Sequence, residues 1–128
     1  MLFLSLELCG CDNKKQDIVI VTPDGFSGTI VVSNDASGQP ANQAAGSVEF
    51  TLSDSTGVIK TPDAYMFENW HRLYGRTSSG QIIAGIGMDI KDSDTIIRSG
   101  PSDSRGNIYI YLGRNDGYDS WRQRLFSK

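Results

Sequence analysis

Histidine and cysteine are scarce in this chain: one histidine, His71, and two cysteines, Cys9 and Cys11, occur among its 128 residues. A structural zinc site takes about four ligands, and these side chains are too few to supply them. A thioredoxin-type redox pair has two residues between its cysteines, whereas only Gly10 separates these two. A disulfide over so short a ring would be strained, because bridged Cα atoms usually lie about 5.5 Å apart. The sequence therefore predicts no cofactor and no zinc or redox centre.

Long apolar runs and clustered positive charge are also missing. No run approaches the ~20 apolar residues that a membrane-spanning helix needs. The net charge is −3, and Lys14 and Lys15 are the only adjacent basic residues, so no stripe that could follow a phosphate backbone is visible. The sequence predicts neither a spanning segment nor a nucleic-acid partner. A chain of 128 residues has room for one domain with one core.

Extended helical patterns are absent, and short strand-like runs stand in their place. Residues 47–53 alternate strictly, with Val48, Phe50 and Leu52 on one face, and residues 107–112 alternate again. Fourteen glycines and many small polar residues separate such runs. Short strands separated by turns every ten residues or so are typical of sandwiches. The sequence predicts an all-β fold, an antiparallel β-sandwich that is Ig-like or transthyretin/prealbumin-like, with a short helix over residues 120–126 capped by Asp119.

The N-terminal residues change abruptly from apolar to polar. Residues 1–8 are largely apolar, residues 12–16 are polar, and both cysteines lie between them. A short apolar segment followed by small residues and a polar run is typical of an export signal with its cleavage site. The tetrapeptide Leu8-Cys9-Gly10-Cys11 resembles a bacterial lipobox, the cleavage and lipidation motif of bacterial lipoproteins.

The lipobox resemblance implies cleavage between Gly10 and Cys11, with Cys11 lipidated as the first residue of the mature protein. Residues 1–10 would be a signal-peptide remnant, residues 11–16 the lipidated N-terminus and tether, and residues 17–128 a single β-sandwich domain. The acyl chains would supply the membrane anchor, at about 0.8 kcal/mol for each buried methylene. We therefore expect the protein in the bacterial cell envelope, either membrane-anchored as a lipoprotein or secreted.

Two features of the N-terminus leave alternatives open. Glu7 interrupts the apolar segment, and no lysine or arginine precedes it, whereas a signal peptide normally begins with a positive region. Either the true start codon lies upstream, or residues 2–8 form a first β-strand. In the second case Cys9 and Cys11 would serve only as small apolar residues.

The body of the chain carries a second resemblance. The motif Pro23-Asp24-Gly25-Phe26-Ser27-Gly28 has the form P-x-G-[FY]-x-G, and residues 57–62 and 110–114 are similar to later segments of the same group. These segments resemble a family of small bacterial domains, exported or lipid-anchored, whose function is unknown. The resemblance implies a β-rich fold and carries over no catalytic residue.

Aromatic side chains with arginines nearby are the candidates for a binding surface, because such pairs suit docking against a protein or stacking on a sugar. Tyr109 and Tyr111 share a strand face opposite Ile110 and Leu112, so they face outward if the aliphatic face is core. The alternative is that the aromatics pack inside the sandwich. The candidate ligand-facing residues are Trp70, Tyr74, Tyr109, Tyr111 and Trp121.

Aspartates cluster in two polar segments, one with Asp89, Asp92 and Asp94 and the other with Asp116 and Asp119. Paired carboxylates can serve hydrolysis, and a loop of carboxylates can bind calcium, although neither segment has the EF-hand spacing. The simplest interpretation is solvated turns, since aspartate accepts hydrogen bonds from nearby backbone amides.

Taken together, these features predict a non-enzymatic envelope protein with a binding or structural role. Its partners would be the membrane, through the lipid, and a protein or glycan of the envelope. Two alternatives stay open: a carbohydrate-binding module, and an envelope hydrolase that uses aspartate carboxylates. No catalytic residue and no metal ligand is assigned.

Overall fold

The structure is a computed structural model, and it describes residues 16–44, 46–53, 56–68, 70–85 and 88–126. The lipobox-like segment, with the predicted cleavage and lipidation residues Gly10 and Cys11, lies outside the described residues. The side chains of Trp70 and His71 also lie outside them.

Within the described ranges the chain forms nine strands and one α-helix. The strands are β1 Gln16–Thr22, β2 Gly28–Asn34, β3 Asn42–Ala44, β4 Ser47–Thr51, β5 Val58–Thr61, β6 Trp70–Thr77, β7 Ile82–Ile83, β8 Thr95–Ser102 and β9 Ile108–Arg114. The helix, α1, spans Tyr118–Phe126, and 3-10 turns occur at Ala64–Glu68 and Asn115–Gly117. The helix thus begins two residues before its predicted start. Asp119 lies in its first turn rather than at its cap, where a carboxylate still favours the helix dipole.

The strands form two sheets. The first sheet has the order β3-β4-β1-β6-β7, and the second has the order β5-β2-β9-β8. Three strand pairs are parallel, namely β1 with β4, β1 with β6, and β2 with β5. The prediction of a mostly β, sandwich-like fold with a short C-terminal helix is confirmed, whereas the prediction of wholly antiparallel sheets is wrong.

The parallel pairs arise because the chain crosses to the second sheet after β1 instead of turning back beside it. Both neighbours of β1 in its sheet, β4 and β6, therefore come from later parts of the chain. Side chains alternate with a period of two in parallel and antiparallel strands alike, so the sequence pattern does not distinguish the two directions.

One apolar core lies between the sheets. Alternate residues of each strand face inward, as the pattern in β4 predicts, and Phe50 packs on Phe67 of the first 3-10 turn with ring centroids 4.9 Å apart. The first sheet contributes Ile18, Ile20, Val48, Phe50 and Leu73, and the second contributes Ile30, Val32, Ile59, Ile97, Ile110 and Leu112.

Helix α1 packs on the outer face of the second sheet. Trp121 is 5% exposed, and its indole Nε1 donates a 2.7 Å hydrogen bond to Thr29 Oγ1 in β2. Its ring lies 5.3 Å from that of Tyr111 in β9 and 5.7 Å from that of Tyr118. The outer face of this sheet is therefore covered by a small aromatic layer of its own.

The outer face of the first sheet has no helix over it among the described residues. Long polar side chains cover it instead: Arg72 pairs with Asp17 at 2.9 Å, and Arg76 pairs with Glu49 at 2.9 Å. Val19, which lies between the two ion pairs on this face, is only 1% exposed. The stems of charged side chains can bury an apolar neighbour in this way while their charges stay in water.

Candidate functional site

The candidate site is a groove of about 570 Å³ at one end of the sandwich, where β2 and β5 end and β9 begins. Its volume falls in the range of about 300–1,000 Å³ that is usual for small-ligand sites. Three segments line it: the 3-10 turn Ala64–Glu68, the C-terminal half of β8, and the turn that joins β8 to β9.

One wall of the groove is the 3-10 turn Ala64–Glu68. Ala64 and Phe67, three residues apart, are buried in the core, so the turn has an inner and an outer side. Tyr65 lies on the outer side and is 61% exposed. Glu68 is exposed as well and lines the same groove. The buried spacing therefore presents a phenol ring and a carboxylate together at the groove.

The opposite wall is an irregular part of β8. The pairing of β8 with β9 shifts register between Ser99 and Ser102, and Gly100 lies inside the shift. A Cβ atom on Gly100 would come within 2.6 Å of Cη2 of Trp121, so the bulged strand lies directly on the helix. Tyr118 fixes it further by donating a 3.1 Å hydrogen bond to the Ser99 carbonyl. Bulges interrupt strand pairing and often re-aim side chains next to binding sites.

The third segment is the β8–β9 turn, which Asp103 organises. Asp103 Oδ1 accepts hydrogen bonds from the backbone amides of Arg105 at 2.9 Å and Asn107 at 3.0 Å. Asp103 Oδ2 accepts from Asn107 Nδ2 at 3.0 Å and from the Tyr109 hydroxyl at 3.1 Å. Ser33 in β2 donates to Asn107 Oδ1 at 2.9 Å, and this bond links the turn to β2, the neighbour of β9 in the sheet. The network holds the backbone that presents the Arg105 side chain to the groove.

The same network shifts two acid–base equilibria. Partial burial alone would raise the pKa of Asp103, but the hydrogen bonds from Asn107, Arg105 and Tyr109 together outweigh it and hold that pKa below 3.8. The hydrogen bond to the carboxylate, with some burial, raises the pKa of Tyr109 above 10.0. The turn therefore keeps an ionised Asp103 and a neutral Tyr109 at neutral pH.

Three groups in the groove have no partner for their side chains among the described residues. Tyr65, Glu68 and Arg105 make no side-chain hydrogen bond or ion pair with any residue that the structure describes. Other charged side chains form ion pairs within the domain. Arg114, for example, donates to both carboxylate oxygens of Asp116, at 3.1 and 2.9 Å. An aromatic ring, an anion and a cation are thus available to a ligand in one groove.

The aromatic residues predicted to face a ligand lie in different environments. Trp121 is buried against β2 and β9 and does not face a ligand, because helix α1 turns its ring toward the sheet. Tyr109 and Tyr111 do lie on the face opposite the core, but the Tyr109 hydroxyl is used by Asp103 and Tyr111 donates to the Arg114 carbonyl at 2.8 Å. Tyr74, on the outer face of the first sheet, lies 5.4 Å from the Arg72 guanidinium. Trp70 lies in β6, with its side chain outside the described residues.

The aspartate clusters lie on turns. Asp89, Asp92, Asp116 and Asp119 are exposed, and Asp94 is half-buried. The two segments meet through the backbone, since Asn115 donates to the Asp94 carbonyl at 2.8 Å and Asp116 to the Asp92 carbonyl at 3.0 Å. Asp94 Oδ2 accepts from the Lys91 amide at 2.9 Å. Among the residues that the structure describes, no three His, Cys, Asp or Glu side chains come together in a group that could hold a metal ion.

Sequence reasoning did not select Tyr65, Glu68 or Arg105. A usable signal was present, because the apolar pair Ala64 and Phe67 at a spacing of three implies an outward Tyr65. Of the helices that the structure describes, none is long and apolar enough to cross a membrane. Comparison with protein-family models, curated proteins and solved structures finds no match to this chain.

Proposed function

We propose that this protein is a non-enzymatic binding module of the bacterial cell envelope, anchored to the membrane by a lipid on Cys11 or secreted. The binding half of the proposal rests on the groove, because Tyr65, Glu68 and Arg105 line it and make no side-chain hydrogen bond or ion pair with the residues that the structure describes. The anchor half rests on the lipobox-like tetrapeptide. An Ig-like or transthyretin-like kinship stays a prediction, and it would have to accommodate the parallel pairing of β1 with β4 and β6 and of β2 with β5.

The mechanism is display at a surface. A lipid anchor confines the domain to a thin layer at the membrane, which raises its effective concentration toward any ligand in that layer. Acyl chains alone supply the attachment energy, so the domain surface is free to bind something else.

Support for binding over hydrolysis comes from how the carboxylates are used. A hydrolase of the predicted kind needs two carboxylates of unlike environment within one cleft. The aspartates of the two clusters serve mainly as turn residues, with Asp94 bonded to a backbone amide and Asp116 to Arg114. The groove contains one carboxylate, Glu68, among its lining residues.

The anchor is tested by intact-mass analysis of the protein from membranes of native cells. We expect a mature chain that begins at Cys11 and carries the mass of added acyl chains. Cys11→Ala should move the protein to the soluble fraction, whereas the matched control Cys9→Ala should stay in the membrane. An unmodified N-terminus that still contains Cys9 would refute the anchor.

The binding half is tested by co-sedimentation of the purified domain with isolated envelope of the same organism. We expect Tyr65→Ala and Arg105→Ala to lose binding and Tyr74→Ala, on the outer face of the first sheet, to keep it. Loss with Tyr74→Ala alone would move the binding surface to that sheet face. Equal sedimentation of all variants would refute a role for the groove.

A further inference from the structure

We infer that the groove between the 3-10 turn Ala64–Glu68 and the β8 bulge binds uncharged sugar rings. The inference rests on the proposed binding function and names the chemical class of its ligand. It is drawn from the exposed ring, the balance of charge and the state of the strand edge at this one place.

The exposed ring of Tyr65 is the first argument. At 61% exposure it is the most exposed of the large hydrophobic side chains in the described ranges. A phenol ring has an apolar face and a polar tip, and it loses little rotamer freedom on binding because it has only two side-chain torsions. The apolar face of a pyranose, with its axial C–H bonds, matches such a ring. Tyr65 would serve as the platform on which the sugar stacks.

The balance of charge is the second argument. Glu68 and Arg105 line the groove with opposite charges, so the groove has no excess of either sign. A phosphate or other anion would require a net positive site. A sugar hydroxyl, in contrast, both donates and accepts, and adjacent hydroxyls can bridge a carboxylate and a guanidinium. On the opposite wall the Ser102 hydroxyl adds another group of the same dual character, and the Ser99 hydroxyl, which donates to the Gly100 carbonyl at 3.4 Å, adds an acceptor.

The strand edge is the third argument. β8 is an edge strand of the second sheet and could in principle accept an extended peptide as an added strand. The register shift between Ser99 and Ser102 interrupts the regular strand geometry of β8 where this strand lines the groove. Bulges of this kind blunt an edge against strand addition. A peptide ligand is therefore disfavoured at the place where the sugar would lie.

Asp103 is a positioning residue for this site. It bonds the Arg105 amide, and it is linked to the second sheet through Asn107 and Ser33. An arginine on a fixed backbone loses less freedom when it binds, so the ligand benefits from the prior order of the turn. Asp103→Ala should weaken sugar binding without removing any atom that touches the sugar.

The test is calorimetric titration of the purified domain with chitotetraose and cellotetraose, with tetragalacturonate as a charged oligomer of the same length. We expect at least one neutral tetrasaccharide to bind and tetragalacturonate to bind more weakly. Tyr65→Ala should weaken binding by about tenfold, the effect of removing an aromatic anchor. Tyr65→Phe should keep it, and Tyr74→Ala serves as the control at an unrelated face. Since Tyr65 and Arg105 are exposed, circular dichroism should show both alanine variants folded.

Three outcomes would overturn the inference: no binding of either neutral tetrasaccharide at millimolar concentration, tighter binding of tetragalacturonate, or unchanged affinity in both Tyr65→Ala and Arg105→Ala. The co-sedimentation assay separates this failure from that of the proposed function. If sedimentation with the envelope depends on Tyr65 but neither tetrasaccharide competes, the ligand class is wrong and the binding function stands. If sedimentation is independent of Tyr65, the groove is not the binding site, so the sugar inference fails and the proposed function loses the site on which its binding half rests.

Discussion

Replacement of Trp121 by alanine should remove a large part of the stability of this domain. Trp121 is 5% exposed although it lies outside the core between the sheets. It also ties the last element of the chain to β2 and β9 through its hydrogen bond and ring contacts. Deleting a buried tryptophan side chain typically costs about 3–5 kcal/mol, in a domain whose total stability is about 5–15 kcal/mol.

The expected loss can be divided between the indole nitrogen and the ring. The hydrogen bond from Nε1 to Thr29 Oγ1, at 2.7 Å, accounts for a net share of about 1 kcal/mol. The contacts with Tyr111 and Tyr118 account for about 0.5–1.5 kcal/mol each beyond the buried area. Trp121→Phe should therefore cost only about 1–2 kcal/mol, because it keeps a ring and loses the donor. Thr29→Val should cost about 1–3 kcal/mol by leaving the indole N–H without its acceptor.

The assay is urea unfolding followed by far-UV circular dichroism, since the substitution removes one of only two tryptophans and alters the fluorescence signal. Trp121→Ala should lower the midpoint and leave the slope m unchanged if unfolding stays two-state. Ser120→Ala, at the exposed neighbouring position, is the matched control. A loss in Trp121→Ala within about 0.5 kcal/mol of zero, as for ordinary surface substitutions, would refute the docking of helix α1 described above.

Three further predictions follow from close packing and from one carboxylate. Gly100→Ala would place a Cβ atom 2.6 Å from Cη2 of Trp121, so we expect a loss of about 1–3 kcal/mol in urea unfolding. The loss should shrink in a Trp121→Phe background, which lacks that atom, and an equal loss there would contradict the contact. Gly38→Ala would drive a Cβ atom into the Lys60 carbonyl, so the loop should lift from β5 and hydrogen exchange of the Gln39 amide should accelerate. Because the folded-state pKa of Asp103 is lowered, its contribution to stability is present above its ordinary value of 3.8 and is lost as the pH falls through the folded-state value. The fall in urea midpoint between pH 5 and pH 2 should therefore be smaller in Asp103→Asn than in the wild type, and an equal fall would contradict the network.

Local patterns predicted the parts of the fold that depend on local chemistry. The alternation in β4 correctly placed Val48 and Phe50 in the core, and the alternation in β9 correctly turned Tyr109 and Tyr111 away from it. Strand direction could not be predicted, since the identity of a strand's neighbours depends on where the chain crosses between sheets. β1 shows this, because nothing within residues 16–22 indicates that its partners lie in β4 and β6.

The candidate site was harder to predict for the same reason. Tyr65, Ser99 and Arg105 come from three separate segments that meet only once both sheets have formed. The burial of Trp121 was also hard to predict, because its helical neighbours include Arg122, which suggests a solvated helix when the sequence is considered alone. Its burial depends on a small threonine in β2 and a glycine in β8, and neither is distinctive in the sequence.

The position of β1 has a consequence for the order in which the protein folds. Of the strands that the structure describes, β1 is the first to emerge from the ribosome, yet its ion pair with β6 joins positions 55 residues apart. Such distant pairing is slow, because the entropy of loop closure is lost before the contacts form. The hairpin of β8 and β9 can close locally, whereas the aliphatic run at residues 18–21 needs first β4 and then β6 to emerge before both of its edges are paired. Until then at least one edge of β1 lacks its partner strand and is prone to aggregation, so the vulnerable period of the domain lasts until β6 has emerged.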